Sequence, residues 1–146
     1  MNNNYDKAFE FIMKWEGYKS NDPDDSGGRT IWGISEGSHP EVVVRLWDLP
    51  KAESRREAKI FYKTEYWDKC DCDLFHGSNT AIFIFDIAVN MGIDKAIDFA
   101  NSLYKNLFDL FIMRIKEYVR ISKKGNNIKY LRGWLNRVID LWEYLK

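Results

Sequence analysis

KWEGYKSNDPDDSGGRTIWGIS, residues 14–35, is the stretch on which the fold turns. It begins where a helical pattern stops. Ala8, Phe9, Ile12, Met13 and Glu16 recur at the spacing of one helix face, and Gly17 is a natural terminator. Asp22, Asp24 and Asp25 follow, with Pro23 among them and Gly27 and Gly28 behind, a composition that favours turns. Thr30 to Ile34 then reads as a short strand or hairpin arm. The stretch predicts a small irregular or β lobe near residues 18–35, set into a helical body.

Outside that lobe the periodicity is helical. A short helix is expected from Pro40 through Val42 to Trp47, capped by Ser38 and closed before Pro50. AESRREAKIFYKTEYWDK, residues 52–69, predicts an amphipathic helix. TAIFIFDIAVNM, residues 80–91, is apolar almost all round and predicts the buried central helix, capped by Asn79 or Ser78 and ended by Gly92. Residues 94–122 form a long helical pattern with a break expected near Asn106. KKGNN is a turn, and residues 128–146 close the chain as a further helix. No linker, repeat or low-complexity tract interrupts the 146 residues. The expectation is one mainly α domain, 1–146, with a motif-bearing half at 1–70 and a helical half at 71–146, long enough to bury a sizeable core.

The charge balance excludes some functions. With 22 basic and 22 acidic residues there is no positive field for nucleic acid. The most apolar run is too short to span a bilayer and carries Asp86, so no membrane insertion is expected. MNNNYDKAFE lacks a charged segment followed by an apolar one, so the expectation is synthesis in the cytoplasm without a signal peptide. Cys70 and Cys72 are too close in sequence to favour a mutual disulfide, and with His76 they lack a fourth ligand for zinc. No metal or organic cofactor is expected.

The chemistry worth weighing lies in the opening stretch. Glu16 falls at a helix C-terminus, where unpaired carbonyls disfavour a carboxylate, and Trp15, Tyr18 and Trp32 are near enough in sequence to shield it. Both effects would help it keep a proton, as a general acid must. Asp25 follows nine residues later across a flexible loop and can face it as an ionised partner. One protonated and one ionised carboxylate on either side of a bond are the apparatus of glycoside hydrolysis. Thr30 offers a hydroxyl to orient a water. Two plainer readings stay open on these residues alone. Acidic loop residues are commonly solvated turn formers, and a loop of this type can hold calcium, although the spacing here does not follow a calcium-binding loop.

The stretch resembles glycoside hydrolase family 108, the phage and bacterial N-acetylmuramidases. Glu16, Gly17, Asn21, Asp22, Pro23, Asp25, Gly27, Gly28, Thr30, Gly33, Ile34 and Ser35 fall in register with its motif. The phage-type lysozymes are similar in the same places, Glu16, Asp25 and Thr30-Ile31-Trp32-Gly33-Ile34. FDIAVNMG, residues 85–92, and GWLNRV, residues 133–138, look like the ends of the peptidoglycan-binding segment that usually follows the motif. Three departures stand out. Tyr18 replaces a glycine of the motif, Lys19 replaces a tyrosine, and the C-terminal segment is shortened.

The resemblance implies a lysozyme-like fold and hydrolysis of the β-1,4 bond between N-acetylmuramic acid and N-acetylglucosamine. Glu16 would be the general acid, with Asp25 and Thr30 positioning the attacking water. Tyr18, Trp32 and Asn90 would bind substrate, with core packing as the plainer role for the two rings. Asp86, one turn from Asn90, is expected to be structural. The implied partner is the glycan strand of peptidoglycan, met by a monomer. The implied setting is phage-driven lysis, with a separate pore protein giving access to the wall. Two rivals remain: a muramidase fold kept as an inactive wall- or protein-binding module, and a lytic transglycosylase, which uses one acid and adds no water.

Overall fold

A computed structural model of the chain describes residues 3–21, 28–102 and 106–146. Helix α1, Asn3–Trp15, turns Tyr5, Ala8, Phe9, Phe11 and Ile12 into the core. Three two-residue strands follow: β1 (Lys19–Ser20), β2 (Thr30–Ile31) and β3 (Ile34–Ser35). They pair antiparallel in that order, Ser20 opposite Thr30 and Thr30 opposite Ser35. The lobe is therefore β in part, as its sequence predicts.

Trp32 and Gly33 join β2 to β3 with φ of 53° and 81°. Positive φ at both central residues is the pattern of a type I′ hairpin turn, whose twist suits the flanking strands. Glycine adopts it freely, whereas a tryptophan is strained there by about 1–2 kcal/mol. The indole offsets that strain. It is buried, donates from Nε1 to Ser54 Oγ at 2.9 Å, and lies against the Tyr18 ring at 4.6 Å, while the Trp32 N–H donates to the Tyr18 carbonyl at 2.8 Å. At the open end of the hairpin, Arg29 holds Glu36 through both carboxylate oxygens, at 2.6 and 3.0 Å.

Among the described residues, six further α-helices complete the body: α2 (Pro40–Trp47), α3 (Lys51–Tyr62), α4 (Ser78–Met91), α5 (Ile93–Asn101), α6 (Leu107–Ser122) and α7 (Leu131–Leu145). α4 is the central helix, with every residue from Ala81 to Ala88 buried. Phe85 shows how it is held, in edge-to-face contacts with ring centroids 5.8 Å from Tyr5, 6.4 Å from Tyr62 and 5.5 Å from Trp67. Cys70 and Cys72 are free and buried, and burial pushes both thiols up. Among the described residues no helix is long and apolar enough to cross a membrane.

Four sequence expectations are corrected in detail. The helix expected over 52–69 stops being α at Tyr62. Its next turn, Lys63–Trp67, is π-helical, and that wider turn brings Trp67 fully inside. Ser38 does not cap α2. The N–H groups of Ser38 and His39 both donate to the Ser35 carbonyl, and the α2 start relies on Pro40, which has no N–H to satisfy. The Asn79 side chain does not cap α4 but reaches the Leu145 carbonyl at 2.8 Å, tying the start of α4 to the end of α7. The closing helix begins as a 3-10 turn, Asn127–Tyr130, before α7. The break near Asn106 does occur. Asn106 caps α6, its side chain accepting from the Asp109 N–H at 3.0 Å.

Candidate active site

Glu16 stands one residue past α1, where its own N–H still donates to the Ile12 carbonyl at 3.1 Å. Its side chain is 23% exposed. It is thus held at the edge of the core by the last helical bond, and two walls meet at its carboxyl.

The first wall comes from the lobe. A Cβ built on Gly33 would lie 2.6 Å from Glu16 Oε2 and 2.7 Å from the Tyr62 hydroxyl. Only a residue without a side chain lets the hairpin approach so closely. Tyr62 in turn donates to the Trp32 carbonyl at 2.9 Å, which fixes the turn over the acid. Tyr66 lies against Tyr62 at 5.5 Å. Burial, then the Glu16 charge, then Tyr66 push the Tyr62 phenol well up, so it stays a neutral donor.

The second wall comes from the helices and is ionic. Arg137 of α7 donates from Nη1 to Glu16 Oε1 at 3.2 Å. The same guanidinium donates to Asp86 Oδ1 of α4 through Nε at 3.0 Å and Nη2 at 2.8 Å. The other oxygen of Asp86 faces Arg114 Nη1 of α6 at 2.6 Å, a close ion pair lying off the hydrogen-bond angle. Arg114 also donates to the Tyr118 hydroxyl at 3.1 and 2.9 Å, and that hydroxyl donates to Asn90 Oδ1. Asp86 and Arg114 are fully buried, and Arg137 is 7% exposed. Burial pushes Asp86 up, but Arg114 and Arg137 outweigh it and hold the carboxyl below its ordinary value. Burial pushes Arg137 down, and Asp86 followed by Glu16 outweigh that, so it stays charged. Asp86 faces a guanidinium with each of its oxygens, which is what makes its charge tolerable inside a core.

The residues singled out in the sequence are not all gathered here. Glu16 is at the meeting of the walls. Thr30 is half-buried in the middle strand, on the face opposite the buried Ile31, and the hairpin residue set against the Glu16 carboxyl is Gly33. Asp25 lies outside the described residues. Trp32 is corrected as a sugar-stacking ring: it is 6% exposed and its polar edge is spent on Ser54, so it is part of the core. Tyr18 is half-buried, with Trp32 against its ring and the ammonium groups of Lys19 and Lys51 over it at 5.3 and 5.0 Å. Packing, not an open ring face, is its evident role. Asn90 is half-buried and engaged by Tyr118. Asp86, expected to be structural, proves to be the centre of the ionic wall.

Arg114 and Arg137 escaped sequence reasoning, though both leave a trace. Arg114 is spaced one turn from Leu110 and one from Tyr118, and Arg137 one turn from Leu141, so each charge sits on the apolar face of its helix. A charge on an apolar face asks for a buried partner.

Residues 9–92, more than half of the chain, match the family described as Glycosyl hydrolase 108. The matched span contains Glu16, Thr30, Gly33, Asp86 and Asn90, and ends before Arg114 and Arg137. A solved structure of SagA from Brucella abortus is similar with a TM-score of 0.67, over 99% of this chain and 95% of that one. At 20% identity the likeness is one of fold. No curated protein matches the chain.

Proposed function

The chain belongs to the glycosyl hydrolase 108 family, and from that premise we propose that it hydrolyses the β-1,4 bond between N-acetylmuramic acid and N-acetylglucosamine in peptidoglycan strands. The observation that carries this reading is the placement of Glu16. It is an edge-of-core carboxyl at a helix end, covered by a glycine turn and two tyrosines, within the span the family matches. Glu16 gives its proton to the glycosidic oxygen as the bond to the sugar carbon breaks. Asp25 and Thr30 position the water that then adds to that carbon. The setting that goes with this reading is phage-driven lysis of a host wall.

Digestion of purified peptidoglycan, with mass spectrometry of the fragments, is the test. Wild type should release fragments with reducing ends, and Glu16→Gln should lose activity by about 10³-fold while staying folded. Anhydro ends, lighter by one water, would make the chain a lytic transglycosylase instead. Undiminished digestion by Glu16→Gln would remove Glu16 from the reaction.

One observation favours a second reading. A carboxylate paired with a cation at 3.2 Å is a familiar structural arrangement, and a proton donor must spend time uncharged. If the pair is purely structural, the chain is a wall-binding module. Wild type would then sediment with peptidoglycan and release nothing.

A further inference from the structure

We propose that Arg137 is a positioning residue for proton transfer: it stabilises the carboxylate that forms on Glu16 when the acid gives its proton away. This rests on the reading of Glu16 as general acid. The reaction as usually balanced moves one proton from the Glu16 carboxyl to the glycosidic oxygen and leaves a full negative charge on Glu16. A group already aimed at the place where that charge develops lowers the barrier without having to reorganise.

The geometry suits that task in three ways. First, the guanidinium is oriented before the reaction. Two of its nitrogens are committed to Asp86 Oδ1 at 3.0 and 2.8 Å, and this sets the direction of the third, Nη1, toward Glu16 Oε1 at 3.2 Å. The contact to Glu16 is the longest of the three, so it has room to tighten as charge appears. Second, the orienting carboxylate is itself held. Asp86 cannot swing away, because its second oxygen meets Arg114 at 2.6 Å and all of Asp86 is buried. Third, the guanidinium is shielded from solvent. Arg137 is 7% exposed and lies 5.8 Å from the Trp15 ring centroid, so its interaction with Glu16 is weakly screened. Among the described residues, the groups facing Glu16 are Arg137 from α7, Tyr62 from α3 and Tyr66 from the turn after it, with Asp86 of α4 behind Arg137. Only Arg137 among them brings a positive charge.

A merely structural arginine would make a different prediction. Its loss would loosen the fold and lower activity at every pH alike. An arginine that stabilises the conjugate base has two effects of opposite sign. Without it the developing carboxylate loses its counter-charge, so kcat falls; and the alkaline limb of the rate profile moves up.

The experiment compares wild type, Arg137→Gln, Arg137→Lys and Glu16→Gln on purified peptidoglycan across pH 4–9, with near-ultraviolet circular dichroism to certify folding. Glutamine keeps a donor for Asp86 but removes the charge. It should lower kcat by about 10²-fold with little change in KM, and move the alkaline limb upward. Lysine keeps the charge without the fork, and should recover part of kcat and leave the limb where wild type has it. An unmoved limb in folded Arg137→Gln, or a loss carried by KM, overturns the proposal. If Arg137→Gln does not fold, Arg137→citrulline, which keeps the shape and the donors but not the charge, decides: an unmoved limb or an unchanged kcat overturns the proposal, and a lower kcat at constant KM with the limb raised supports it. Failure of the underlying reading looks different, because wild type itself would then be inactive, or Glu16→Gln would be as active as wild type.

Discussion

On the lobe side of Glu16 the wall is backbone and rings: Gly33 with no side chain, the Trp32 carbonyl, and the Tyr62 hydroxyl that binds it. On the helical side it is charge: Arg137, Asp86 and Arg114, with Tyr118 and Asn90 beyond. The lobe wall is made by residues close in sequence, and its one long step is Tyr62 to Trp32, 30 residues apart. The helical wall is made by partners 51 and 121 residues apart. One wall works by shape, through an approach that a methyl group would block. The other works by field, through buried charges that face one another. Shape fixes where the carboxyl is, and charge sets the field in which it stands.

The largest effect should come from breaking the charge side at its centre. Asp86→Ala leaves Arg114 and Arg137 buried without their counter-charge. Removing one partner of a buried ionic pair costs about 3–5 kcal/mol, a fall of roughly 10 °C or more in a melt followed by circular dichroism. A loss under about 1 kcal/mol would mean that water reaches the cluster and that the helical wall is less dry than its burial implies.

Breaking the shape side should hurt activity more than stability. Gly33→Ala meets two obstacles, a φ of 81° and a Cβ 2.6 Å from Glu16 Oε2. The backbone strain alone is worth about 1–2 kcal/mol. The carboxyl must move to make room, and displacement of a reacting group by about 1 Å costs on the order of 10²-fold in rate. Peptidoglycan digestion beside a melt separates the two. If activity falls no further than stability explains, the close approach has no chemical purpose.

These two variants also mark what was readable in the sequence. Glu16, Gly33 and Thr30 fall inside one short window, where spacing alone brings them to one hairpin and one helix end. The lobe and the buried α4 follow the same local logic, because periodicity and turn residues act over a few positions. The helical wall does not. Nothing near Arg137 in sequence announces Glu16, and the pairing depends on α7 folding back across α1 and α4. Asp86 was visible as an anomaly, a charge in an apolar helix, but its partners were not. For Trp32 the sequence leaves sugar binding and core packing both open, because an aromatic beside a motif looks the same whether it faces in or out; the Ser54 hydroxyl, 22 residues away, decides for the core.

A smaller effect tests how firmly the lobe wall is set. Ser54→Ala takes the acceptor from Trp32 Nε1 inside the core, and Trp32 is already strained at φ 53°. The loss should be about 1 kcal/mol, with a change in tryptophan emission. No loss at all would mean that packing against Tyr18 alone holds the turn.

The smallest effect sharpens the contrast between a fully buried charge and one whose partners reach solvent. Glu117 of α6 has, like Asp86, two cationic partners. Arg120 reaches it at 2.6 and 2.7 Å, and Lys95 of α5 at 3.1 Å. The hydrogen bonds from Arg120, opposed by burial and helped by Lys95, bring its carboxyl down to about 2 from an ordinary 4.5. The folded form therefore holds this proton less readily than the unfolded chain does. The stabilisation is complete above about pH 4.5, and it is lost as pH falls toward 2. Solvent screening keeps its worth to about 0.5–1 kcal/mol. Urea unfolding of wild type and Glu117→Gln should thus differ by that amount at pH 6 and converge near pH 2, and the gap at pH 6 should shrink in 0.5 M salt. Asp86 has the same count of partners but no water around it, so salt should leave its contribution almost untouched. If both respond to salt alike, burial is not what separates the two clusters, and the distinction between a wall built by field and an ordinary surface ion pair disappears.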